Sequence, residues 1–209
     1  MLGLQYVYRR TDELLEDVDI GFDDAGNVII APAGNYTAGT AVDYLGNEYT
    51  WWRRNPDDGD SFSQHLLWDN VGDLFRNYSA LELWWRTRSL AGLRLTGSYV
   101  YSVTRGNIDV LLEESSGFSE SNNNPSAFTN AEGYLASDVR HRFKLAAVYA
   151  LPFDIYLGTV ATWRSGAPYD RMLWNPDLYS LEYEIRADPR GEEYRYDDQL
   201  VVDIRLEKE

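Results

Sequence analysis

Hydrophobic and polar residues alternate along this chain in six stretches, separated by connections of very unequal length. Over residues 142–151, Phe143, Leu145, Ala147, Tyr149 and Leu151 fall on one face and Arg142, Lys144 and Ala146 on the other, the period of a β-strand. Pro152 has no N–H to give to a ladder, so with Phe153 and Asp154 it is expected to turn the chain into a second run over residues 155–164. The same alternation sets Leu2, Leu4, Tyr6 and Tyr8 against Gly3, Gln5, Val7 and Arg9, and Leu81, Leu83 and Trp85 against Glu82, Trp84 and Arg86. It recurs with Leu93, Leu95, Gly97, Tyr99 and Tyr101, and last with Leu200, Val202, Ile204 and Leu206 against Val201, Asp203, Arg205 and Glu207. Strands are predicted near residues 1–10, 78–88, 92–104, 139–151, 155–165 and 199–208.

The connections alternate long (10–77), short (89–91), long (105–137), short (152–154) and long (165–197). Several strands run to about ten residues, where soluble strands have a mode of about five to six and a membrane crossing takes about nine to eleven. Outer-membrane barrels join such strands by short periplasmic turns and long extracellular loops. The fold expected is therefore all-β: an antiparallel up-and-down meander, part of a transmembrane β-barrel, with long extracellular loops. Residues 1–209 form one partial barrel domain on this reading. Bacterial barrels start at about eight strands, and an open edge in lipid leaves backbone groups unpaired, so further strands are expected on both sides. Residues 1–10 lack the basic, apolar and small-residue pattern of an export signal, so the chain is expected to be part of a longer protein.

The long connections carry local signals of their own. Residues 27–31 and 48–53 are expected to pair locally, and Asp24, Ala25, Gly26 and Asn27 to form a hairpin turn. Leu67, Val71, Leu74 and Phe75 fit one side of a short helix over residues 61–75. Pro168, Pro176 and Pro189 argue against central strands in the last connection. A connection as long as 10–77 calls for its own structure or a task.

Composition narrows the function. Lys plus Arg total 19 and Asp plus Glu 34, a net charge of -15, which repels nucleic-acid phosphates; no nucleic-acid partner is expected. With 7 Trp, 16 Tyr and 7 Phe the chain is too aromatic to stay disordered. Aromatic residues of this kind form girdles on barrels and also favour the strands of a soluble β-sandwich. The regular alternation of loop length decides for the barrel, and a soluble carbohydrate-binding β-sandwich stands as the alternative. There is no cysteine, hence no disulfide framework and no cysteine zinc site.

No catalytic residue is assigned. The doublets Glu113-Glu114, Glu192-Glu193, Asp197-Asp198 and Asp57-Asp58 resemble the paired carboxylates of glycosidases, but arise readily in so acidic a chain, as solvated loop charge. Asp17, Asp19, Asp23 and Asp24 lack the glycine and glutamate spacing of a calcium-binding loop. His65 and His141 are the only histidines and make no metal or nucleophile case; no cofactor or metal is expected. An ion pair from Asp138 to Arg140 or Arg142 is the structural role expected beside His141. Trp51, Trp52, Trp68 and Trp174 lie in the long connections and are the candidate ligand contacts, since exposed aromatic rings stack on flat ligands; their other reading is to pack the loops' own small cores. Trp163 belongs to the interfacial girdle.

Asp138-Val139-Arg140-His141-Arg142-Phe143-Lys144-Leu145, the Leu151-Pro152-Phe153 turn and Ser165-Gly166-Ala167-Pro168-Tyr169 resemble the late barrel strands of TonB-dependent outer-membrane receptors. Tyr78-Ser79-Ala80-Leu81-Glu82-Leu83 and the closing run from Leu200 to Lys208 fit the same family, in its subgroup with an N-terminal carboxypeptidase-regulatory-like domain. The resemblance implies nutrient import across the outer membrane of a Gram-negative bacterium. It implies as partners outer-membrane lipid, the rest of the barrel and a plug domain absent from this sequence, a small ligand, and an inner-membrane energy-coupling protein reached through the missing N-terminal part.

Overall fold

A computed structural model describes residues 1–22, 25–30, 36–43, 45–55, 66–87, 91–108, 125–174 and 184–208. The strands in chain order are β1 (Leu2–Phe22), β2 (Val28–Ile30), β3 (Tyr36–Val42), β4 (Glu48–Arg54), β5 (Leu66–Arg86), β6 (Leu93–Gly106) and β7 (Gly133–Tyr134). There follow β8 (His141–Leu151), β9 (Ile155–Arg164), β10 (Pro168–Tyr169), β11 (Met172–Trp174), β12 (Glu184–Arg186), β13 (Tyr194–Arg195) and β14 (Gln199–Lys208). One eight-stranded sheet runs in the order β14-β9-β8-β6-β5-β1-β2, with β7 paired to β6. Its long strands β1, β5, β6, β8, β9 and β14 are antiparallel neighbours in sequence order. This is the predicted meander, and the six predicted strands are these six.

Two of them are longer than their alternation suggested. β1 and β5 each run 21 residues and stay paired to Asp19↔Leu66, with a bulge between Asp12 and Leu14 where Glu13 takes a positive φ of 53°. The helix expected over residues 61–75 is thereby corrected: residues 61–65 lie outside the described residues, and from Leu66 the chain is strand. Leu74, spaced like a helix-face residue, instead packs with Leu14 and Ile108 in a small core at the long-loop end. That core is made by residues distant in sequence, so cross-strand burial overrides a local period.

The turns follow local chemistry. Leu151↔Ile155 closes the β8–β9 hairpin over the three residues Pro152, Phe153 and Asp154, of which Phe153 and Asp154 take positive φ, 67° and 55°. Ile20↔Ile30 and Phe22↔Val28 close the β1–β2 hairpin, with Gly26 at φ 81° in the expected turn. β3 and β4 form the other local ribbon, Tyr36↔Arg54 to Val42↔Glu48. In the last connection β10 pairs only β13 and β11 only β12, so Pro168 stays out of the main sheet, Pro189 lies in a bend, and Pro176 lies outside the described residues.

Register sorts the sheet into two faces, because directly opposed residues point the same way. One face carries the row Leu4, Leu83, Tyr99, Phe143, Trp163 and Leu200, then Leu2, Trp85, Gly97, Leu145, Ala161 and Val202. The other carries Gln5, Glu82, Val100, Arg142, Arg164 and Gln199. Among the described residues no second sheet covers the apolar face, and Leu4, Tyr6, Ile204 and Leu206 are each about two-thirds exposed or more. A sandwich buries such a face against a partner sheet about 10 Å away, so the soluble sandwich is not what this chain forms.

Candidate functional site

The wall divides by height as well as by face. On the apolar side, toward the long-loop end, the Tyr99 hydroxyl and His141 Nδ1 share a hydrogen bond of 2.7 Å. The His141 ring stacks near Trp163 at 6.1 Å between centroids, and Trp85 and Phe143 lie 5.9 Å apart. Tyr101 adds a tilted ring 5.3 Å from His141. At the short-turn end Phe153 is 83% exposed and Tyr149 is exposed as well. Between these two aromatic levels the face is Leu93, Leu95, Leu145, Ala147, Ile204 and Leu206. β8 has 11 residues; at about 3.3 Å each and a tilt of about 40°, that rises roughly 27 Å, close to the height of a barrel's apolar band. Rings with a polar tip settle where hydrocarbon meets water. The face is therefore fitted to lipid, with the aromatic levels at its two interfaces. No helix among the described residues is long and apolar enough to cross a membrane, and the crossing is by strands.

Above the outer aromatic level a polar network ties the connections to the wall. Asp138 is fully buried; one carboxylate oxygen accepts the Thr104 amide at 2.7 Å, and the other accepts Arg140 Nη2 at 3.1 Å and Arg195 Nη2. Arg195 also donates to the carbonyls of Asp138 and Gly166, at 3.0 and 3.1 Å. Burial works against the Arg140 charge, but the Asp138 carboxylate beside it raises its pKa above the ordinary guanidinium value. Tyr134 lies under three cations, with Arg105, Arg140 and Arg195 at 4.6, 4.5 and 5.7 Å from its ring centroid. The expected Asp138–Arg140 pair is present. Arg195, 57 residues away, had no local signal.

The Ser165-Gly166-Ala167-Pro168-Tyr169 run has a physical reason here. Ser165 Oγ accepts the His141 amide at 3.0 Å. A β-carbon on Gly166 would overlap the Tyr196 carbonyl, so only glycine allows that segment to cross. The Tyr196 amide then donates to the Ala167 carbonyl at 2.9 Å, and Pro168 and Tyr169 pair with Arg195 and Tyr194. The run is a clamp that folds the last connection back onto the rim.

Three further carboxylates brace the outer connections. Asp170 accepts Arg186 Nε at 2.7 Å and the Gly191 amide at 2.8 Å. Arg171 forks onto Asp188 at 3.0 and 3.1 Å and reaches Asp43 at 3.9 Å. Asp43 closes the β3–β4 turn: the Leu45 and Asn47 amides donate to one oxygen, and Asn47 Nδ2 and the Tyr49 hydroxyl to the other, at 2.9 to 3.1 Å. Burial would raise the Asp43 carboxyl, but these donors hold it below the ordinary carboxylate range.

Of the candidate ligand contacts, Trp51 and Trp52 sit side by side on β4. Trp51 is half-buried with its ring across Gly39 of β3, where a β-carbon would overlap it, and its Nε1 is buried with no hydrogen bond. Trp52 is half-buried; its amide donates to Ser126 Oγ at 2.8 Å, and the hydroxyl donates to the Trp52 carbonyl at 3.3 Å. Trp68 pairs with Asp17 across β5 and β1, and Trp174 with Glu184 across β11 and β12; their side chains lie outside what the structure describes. Trp51 and Trp52 are brought together on one ribbon. Among the described residues no three His, Asp or Glu side chains converge as metal ligands.

A comparison with curated protein sequences finds no match. Among solved structures, the outer membrane transporter YddB from Escherichia coli superposes with a TM-score of 0.51 at 12% identity, covering 98% of this chain. The chain spans 23% of that transporter's length. Residues 1–167 match the family described as "Outer membrane beta barrel domain". With a lipid-fitted face, two aromatic levels and a meander of long strands behind that match, the chain belongs to the outer membrane β-barrel domain family, and its place is the outer membrane of a Gram-negative bacterium.

Proposed function

We propose that the chain is barrel wall and extracellular loops of a TonB-dependent receptor that imports a scarce nutrient. The observation that carries this reading is the combination of a polar inner face with outer connections that are built, not loose. Their ribbons are braced by Asp43, Asp138 and Asp170, as a surface that must hold a ligand requires. The resemblance of the His141 strand, its turn and the Ser165-Gly166-Ala167-Pro168-Tyr169 clamp to the late strands of such receptors points the same way. YddB, of like fold, is an outer membrane transporter.

On this reading the partners are outer-membrane lipid around the apolar face, further strands along the open edges of β1 and β14, a plug domain inside the barrel and an inner-membrane energy-coupling protein. Trp51, Trp52, Trp68 and Trp174 contact the ligand, and no residue acts as a catalyst. The test uses cells making the full-length protein under limitation for the nutrient it imports. Growth that depends on this protein must also depend on the energy-coupling protein; growth that survives removal of the coupling protein overturns the reading. Trp51→Ala and Trp52→Ala should weaken ligand capture at the cell surface while the amount of folded barrel stays the same.

A further inference from the structure

Among the described residues, the inner face of the wall holds a cluster of cations without counterions. Arg142 and Arg164 are directly opposed across β8 and β9, Lys144 follows two residues along on the same face, and with Thr162, Gln199 and Val201 they line one groove. Directly opposed like charges destabilise a sheet. Arg164 Nε donates to Gln199 Oε1 at 2.7 Å, a neutral partner. Among the described residues neither Arg142 nor Lys144 has a carboxylate within ion-pair distance. Glu82, the acid in the same cross-strand row, is separated from Arg142 by Val100, two strand spacings or about 10 Å away.

The arrangement stands out against the rest of the molecule. The chain as a whole is acidic, at -15, and the rim arginines Arg105, Arg140, Arg171, Arg186 and Arg195 each hold a carboxylate. Acid was available, and among the described residues none is placed against these cations. A local rule broken without internal compensation marks a site whose compensation comes from outside the chain. Arg142 and Arg164 flank Phe143 and Trp163 of the outer aromatic level, which puts the groove just inside the outer mouth of the barrel. Two guanidinium forks and one ammonium lining one open, exposed groove are matched by an oxyanion, which takes paired N–H donors and neutralises the repulsion.

We propose that Arg142, Lys144 and Arg164 form an anion-binding station on the inner wall, which holds the carboxylate or phosphate group of a solute after it leaves the outer loops. This rests on the transport reading for its purpose but not for its chemistry. The probe is inorganic phosphate, titrated by calorimetry into the full-length protein in detergent micelles at low ionic strength. Saturable binding is expected in the wild type and in Arg94→Gln, an inner-face arginine nearer the short turns. Binding should weaken roughly tenfold or more in the Arg142→Gln/Arg164→Gln double variant and in large part return in Arg142→Lys/Arg164→Lys, with added salt competing. Retained heat-modifiable migration on gels establishes that each variant is a folded barrel. Phosphate binding equal in the glutamine variant overturns the proposal. So does wild-type protein that binds phosphate only after its plug is removed, because the station then serves an acidic surface of the plug. Loss of coupling-dependent growth bears on the transport reading alone, so the two fail separately.

Discussion

The indole of Trp85 lies across Gly97, its directly opposed neighbour on the next strand, and occupies the space where a β-carbon would stand. The pairing lets one large ring cover two strands of the lipid face, with Phe143 5.9 Å away. Trp84 covers Gly3 in the same way on the inner face. Gly97→Ala must push the indole off its seat and should cost about 1–3 kcal/mol, the range for overpacking. Gly158→Ala, whose new β-carbon meets nothing nearer than 3.8 Å, serves as the control. Urea unfolding of the barrel in micelles, followed by tryptophan emission, measures both; equal midpoints would refute the packing account.

Asp138 is the buried anion on which Arg140 and Arg195 converge. Asp138→Ala leaves two cations and the Thr104 amide without their acceptor, and breaking a buried pair from one side costs about 3–5 kcal/mol. Because the contacts join the 194–198 segment to the wall, the loss should show first as protease cleavage and fast amide exchange there, while residues 142–150 stay protected.

The Asp43 turn should be acid-sensitive. Its carboxyl lies below the ordinary range in the folded state, so the stability it contributes is fully present above the unfolded value of about 3.9 and is lost as pH falls through the lower folded value. Protection of the Leu45 and Asn47 amides should therefore hold at neutral pH and fall below about pH 4. In Asp43→Asn the same amides should be poorly protected and indifferent to pH over that window.

Leu145 and Ala146 are sequence neighbours on opposite faces. An arginine at Leu145 enters the apolar band near its middle and should cost about 2–4 kcal/mol, whereas one at Ala146 faces the inside and should cost little. Folding titrations into lipid vesicles distinguish the two, and equal penalties would mean that the faces are assigned the wrong way round.

Much of the wall was legible because its information is local: alternation from Phe143 to Leu151, a proline at position 152, and a glycine at position 166 that a crossing backbone requires. The upper halves of β1 and β5 were not. Asp12, Glu13, Glu16, Asp17 and Asp19 look like a solvated loop, and Leu67, Val71, Leu74 and Phe75 like a helix side. Only their mutual pairing, across some fifty residues of chain, makes both into strand. The same limit hid Arg195 behind Asp138. The Arg142, Lys144 and Arg164 cluster was half visible, since alternation placed Arg142 and Lys144 on one face, but register alone brings Arg164 opposite.

Beyond Arg10, β1 and β5 stay zipped together over residues 11–19 of β1, about 30 Å of strand. That makes this ribbon a mast and not a tether. A tether searches a volume and loses that freedom when it grips, at a cost in ordering entropy; a mast holds its tip at a set height and bearing. The height of this ribbon above the wall is then a fixed distance, set by a strand register, and should change in steps of residue pairs if the ribbon is shortened.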